Sequence, residues 1–137
     1  MRLWLALFAI VIMLAGCASE AMRNIGLDKF TPRKAEQELT AGLRFYEDGN
    51  YKAASKSLQN ALDAGLTFKS DRVIAHKHLA FILCTSEKEK LCRDEFKKAL
   101  ELDPKFELSP AEEGHPVWGP AFRGVKVEME NIKVKSK

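Results

Sequence analysis

Nothing limits the fold of this chain more than an internal echo in its apolar pattern. Ala54-x3-Leu58-x2-Ala61-Leu62 recurs as Cys92-x3-Phe96-x2-Ala99-Leu100, with 38 residues from Ala61 to Ala99. In each copy the apolar positions fall at i, i+4, i+7 and i+8, which is one stripe along an α-helix. A half-buried strand would need apolar residues at every second position, and residues 33 to 104 hold no such run. The spacing predicts four helices, from about Arg33 to Glu47, Tyr51 to Ala64, Ser70 to Thr85 and Glu89 to Leu102. Thr31-Pro32 supplies a cap and a first-turn proline, and Asp48-Gly49-Asn50, Gly65 and Asp103-Pro104 supply the stops.

The paired helices resemble the tetratricopeptide repeat, whose pattern runs W-x2-L-G-x2-Y, then A-x3-F, then P, on a period of about 34 residues. The matching positions are Glu38, Ala41, Gly42, Phe45, Ala54, Leu58, Ala61 and Leu66 in the first copy. In the second they are His76, Leu79, Ala80, Leu83, Cys92, Phe96, Ala99 and Pro104. Small residues at Gly42, Ala54, Ala80 and Cys92 would let the helices of a pair approach closely, and Phe45, Leu58, Leu83 and Phe96 would fill the space between pairs. The chain departs from the pattern at Glu38 and His76, which replace tryptophan, at Leu66, which replaces proline, and in a longer connector around Gly65 to Asp71. The expected fold class is therefore all-α, with two tetratricopeptide-like hairpins forming four antiparallel helices.

Two repeats are fewer than the three or more that make an independent stack, so the exposed end needs a cover. Ser109-Pro110-Ala111-Glu112-Glu113 reads as a capped helical turn. Gly114 to Phe122 follows with two large aromatics, Trp118 and Phe122, spaced to lie together against the fourth helix. The expected domain runs over 33–124. Residues 125–137, with Lys126, Lys133, Lys135 and Lys137, are expected as a basic flexible tail.

The N-terminus carries a different kind of information. Arg2 precedes an apolar run from Leu3 to Met13, of the length of a signal-peptide core and too short for the ~20 residues that span a bilayer. Leu14-Ala15-Gly16-Cys17 then resembles the lipobox of bacterial lipoproteins. That resemblance implies removal of residues 1–16, a diacylglyceryl thioether on Cys17, an acylated (palmitate-type) new amino terminus, and a tether over 17–32. Two or three acyl chains anchor a protein stably without a membrane-spanning helix. Ala18-Ser19 lacks the aspartate of inner-membrane retention, which implies the periplasmic face of the outer membrane.

With Cys17 lipidated, Cys84 and Cys92 remain as a pair flanking one turn. A disulfide in an oxidising compartment is the expected state, with two buried free thiols as the alternative. A metal is a poorer fit, because Cys-x7-Cys lacks a matched second ligand pair. His76 and His78 diverge by about 200 degrees on a helix and do not converge on one ion, and His115 before Pro116 suits a backbone hydrogen bond. A formal charge of +3, from 22 basic and 19 acidic residues, gives no nucleic-acid footprint. No serine-hydrolase elbow, zinc-protease motif or phosphate loop occurs, so neither an enzyme nor a small-molecule substrate is expected, and no cofactor beyond the lipid on Cys17.

The tetratricopeptide resemblance implies a binding groove along the first helix of each pair, lined here by Leu39, Leu43, Tyr46, Glu47, Lys77 and Phe81; the alternative is that Leu43 and Phe81 pack under the C-terminal segment. Across roughly 34–124, the lipobox, the repeat pair, Cys84 and Cys92 around the second turn, and the run from Phe106 to Pro120 together resemble the TssQ-type lipoproteins of type VI secretion. That resemblance implies an accessory protein-protein adaptor at the cell envelope, with secretion-system subunits as partners. A pilotin-like or outer-membrane assembly lipoprotein serving a secretin or barrel protein, and a peptidoglycan-gripping lipoprotein, are the other readings of such a chain.

Overall fold

A computed structural model describes residues 33–135. The apolar leader, Cys17 and the tether to residue 32 lie outside the described residues, as do Ser136 and Lys137. Six helices follow in order: α1 Lys34–Glu47, α2 Tyr51–Ala64, α3 Lys69–Thr85, α4 Glu89–Leu102, the short α5 Pro110–Glu113, and α6 Trp118–Lys135. Among the described residues there is no strand, and no helix is long and apolar enough to cross a membrane. The all-α architecture of two tetratricopeptide-like hairpins with a C-terminal cap is what the repeat demands.

The first four helices begin and end where local chemistry dictates. Asn50 caps α2 by accepting from the Ala53 N–H at 3.3 Å, and Gly65 closes that helix at φ 85°, a left-handed conformation costly for other residues. Within the first hairpin, α1 and α2 meet at Gly42, where a Cβ would lie 2.8 Å from Leu58 Cγ. That position admits no side chain without displacing fully buried Leu58, which explains the small residue there.

Two apolar clusters result. One gathers Leu39, Ala54, Leu58, Ala61, Leu66, Ala75 and Leu79 between the first hairpin and α3. The other joins Phe81, Cys84, Cys92, Phe96 and Leu100 to Leu108, Phe122 and Val125 from the C-terminal segment. Phe96 and Phe122 are buried to 0% and 1% exposure, with ring centroids 5.2 Å apart in an edge-on arrangement. Burying each such ring contributes on the order of 2–3 kcal/mol, so α6 is integral to the second hairpin's core.

Residues 125–135, expected as a loose tail, are instead the second half of α6, with Val125 only 2% exposed. The helix accommodates Gly119, Pro120 and Gly124, residue types that ordinarily weaken a helix interior. Pro120 is the third residue of α6, where a backbone N–H has no intrahelical acceptor to lose. Gly119 is needed because a Cβ there would collide with the Glu113 carbonyl oxygen. The two aromatics of this segment also part company: Phe122 packs on Phe96 of α4, whereas Trp118 stacks on Phe81 of α3. Helix α6 packs mainly on α4 and secondarily on α3, the same relation that α3 has to α2 and α1. It therefore stands where the first helix of a third repeat would stand.

Candidate functional site

Of the six residues assigned to a groove on α1 and α3, two are core. Leu39 is 7% exposed and turned toward α2, and Phe81 is 2% exposed beneath the Trp118 ring. Leu43 is half-buried against the first cluster. Tyr46 bridges both clusters, its ring centroid 4.9 Å from His78, 5.5 Å from Tyr51 and 6.5 Å from Phe81. Burial pushes the Tyr46 phenol above its ordinary range, helped by the neighbouring Tyr51. Glu47 is exposed. Lys77 is tied to Glu112 at 2.6 Å and lies 5.6 Å above the Phe81 ring. The chain's own C-terminal segment lies over the α3 half of the groove read from the repeat, with Phe81 beneath Trp118 and Lys77 paired to Glu112.

Glu112 organises this closure, and nothing in the sequence singled it out beyond its place in a capped turn. Its carboxylate accepts from Lys77 Nζ at 2.6 Å and from the Ser109 backbone N–H at 2.9 Å, while Ser109 Oγ caps the turn in return. Its carbonyl accepts from the Trp118 indole at 2.8 Å. Burial disfavours the charged carboxylate, yet the hydrogen bonds from Lys77 and Ser109 outweigh it and hold Glu112 below the usual carboxylate range. His115 stacks flat on Trp118, with centroids 3.3 Å apart, and its Nδ1 accepts from the Val117 N–H at 3.2 Å. The result is a column, His115 over Trp118 over Phe81, sealed at its edge by one ion pair.

The other two histidines separate as helical geometry requires. His76 donates to Glu95 at 2.6 Å, and Lys98 donates to the other oxygen of that carboxylate at 2.6 Å. Glu95 is 8% exposed; burial opposes its charge, but the bonds from His76 and Lys98 hold its carboxyl below the ordinary range. His78 donates from Nδ1 to the Ile74 carbonyl at 2.8 Å, and burial lowers its pKa from the ordinary histidine value despite that bond. The His76–Glu95 pair joins α3 to α4, and the His78 ring joins α3 to the first hairpin through its edge-on contact with Tyr46. Among the described residues no group of three His, Cys, Asp or Glu side chains is placed to hold a metal ion.

Cys84 and Cys92 are joined as a disulfide, with Cα atoms 5.1 Å apart. The bond spans the α3–α4 turn, where Glu87 adopts φ 59°, and Cys92 is wholly buried against the second cluster. Residues 84 to 92 are thereby fastened at both ends of the loop. Compared with known protein families, curated proteins and solved structures, the chain matches none.

Proposed function

We propose that this chain is a lipid-anchored adaptor of the TssQ kind, an accessory component of a type VI secretion system on the periplasmic face of the outer membrane. The observation that carries the reading is the Cys84–Cys92 bridge on a chain that opens with a lipobox. Disulfides persist in oxidising compartments, and a chain cut before Cys17 would be delivered to one. Helical repeat pairs serve as recognition surfaces, and the run from Phe106 to Pro120 supports the narrower family likeness. With Phe81 and Lys77 engaged internally, the accessible part of the groove is the edge formed by Leu43, Tyr46 and Glu47. No catalytic role is proposed.

Two measurements test this. Cys17→Ala leaves the protein uncleaved or soluble, and its recovery in the outer-membrane fraction would refute the anchor. Affinity purification of the lipidated protein from envelopes brings down secretion membrane-complex or baseplate subunits; a secretin in their place would turn the assignment toward a pilotin.

A further inference from the structure

The positive charge that the groove consumes internally reappears, uncompensated, on a different face. A trough of about 590 Å³ runs between the first half of α2 and the C-terminal end of α3. Its rim carries Lys52, Lys56 and Lys88, and no carboxylate lines it. None of these three lysines has a carboxylate partner among the described residues, whereas Lys77, Lys90, Lys98 and Lys126 are each paired. Between the rim lysines lie apolar Ile82 and Leu83, with Tyr51 at one end, beside the uncharged polar side chains of Ser55, Gln59, Asn60 and Ser86. The α3–α4 turn sorts its charges by side: Lys88 faces this trough, while Glu87 and Glu89 line a separate cavity with Arg93.

We infer that this trough is a docking site for an acidic polypeptide segment that alternates carboxylates with apolar side chains. Lys52 and Lys56 are one helical turn apart, roughly 6 Å along the axis of α2, and Lys88 stands at the N-cap of α4, in the turn of the second hairpin. Charges spaced in this way match a chain with repeated carboxylates better than a single phosphate, which one or two lysines would satisfy. A bilayer surface is flat and meets protruding lysines, whereas here the lysines border a concavity whose floor includes Ile82 and Leu83. Carboxylates on the rim and aliphatic or aromatic groups on the floor would be satisfied together. The site is separate from the α1–α3 groove, and its chemistry does not depend on the secretion assignment.

The test uses the purified full chain and a short fluorescein-labelled peptide alternating Glu and Phe, read by anisotropy. Saturable binding that weakens at high salt is expected. The exposed double substitution Lys52→Glu/Lys56→Glu should weaken it about tenfold or more, and the remote pair Lys97→Glu/Lys105→Glu should leave it within about twofold. Absence of saturable binding overturns the proposal, as does equal loss in both double variants. If the α2 pair abolishes co-sedimentation with phosphatidylglycerol vesicles while the peptide does not bind, the surface is a membrane contact instead. Failure of any kind here leaves the Cys17 and co-purification experiments unaffected.

Discussion

Trp118 lies over Phe81 with ring centroids 4.4 Å apart and planes 24° from parallel, so a residue from the chain's last helix roofs the aromatic centre of its third. The indole is held from the other side by His115 and fixed in direction by its bond to the Glu112 carbonyl. Trp118→Ala removes the roof and one of the hydrogen bonds to that carbonyl, which keeps its bond from the His115 N–H at 3.2 Å. Because Trp118 is only partly buried, a loss of about 2–3 kcal/mol is expected, at or below the low end for Trp→Ala, measured by urea denaturation. A loss within experimental error would mean that the C-terminal segment does not hold the groove shut.

Gly42→Ala tests the close approach of α1 and α2. In an exposed helix interior this exchange gains about 1 kcal/mol. Here the new methyl meets Leu58 Cγ at 2.8 Å, so the sign reverses. A net destabilisation of about 1–2 kcal/mol is expected from overpacking, read as a lowered urea midpoint at unchanged slope. A stabilised variant would show that the hairpin has room to spare.

Cys84 and Cys92 should not react with a thiol reagent in the unfolded protein until a reductant is added. Closing so short a loop restricts the unfolded chain by about 2.5 kcal/mol on the chain-entropy estimate. Cys84→Ser/Cys92→Ser should lose about that much stability. Labelling of both cysteines without reductant would count against the bridge.

Acid should weaken the domain in two stages. His78 has a lowered pKa in the fold, so its unfolded form takes up a proton first; its share of stability is complete above its ordinary value of 6.5 and falls as the pH drops below that. Glu95 is likewise lowered, so the stability from its bonds to His76 and Lys98 is complete above the unfolded carboxyl value of 4.5 and is lost as the pH falls through the folded one. Glu95→Gln should flatten the second stage and leave the first. Stability curves from pH 8 to 3 decide it, and identical acid limbs in both proteins would remove Glu95 from the account.

The four repeat helices were legible from their 3.6-residue apolar stripes, and three of them also from a terminating Gly, Asn or Pro; α3 ends at Thr85-Ser86 without one. Cys84 and Cys92 were legible as a pair because few other partners were left for them. The cap was read only in part. Ser109 to Glu113 carries its own capping signature, but Gly119 and Pro120 are tolerated in α6 only because of where the first turn of that helix sits against Glu113. Phe81 and Lys77 look like groove residues by repeat position. Their burial depends on Trp118 and Glu112, which lie 37 and 35 residues further along and meet them only in the folded chain.

The station held by α6 bears on how such a chain could change in length. A helix that answers the last hairpin as an opening helix would, with no closing mate among the described residues, works as a bookend. A further hairpin spliced between Leu102 and Ser109 would meet α4 on one side and α6 on the other, so growth of this array is possible by insertion.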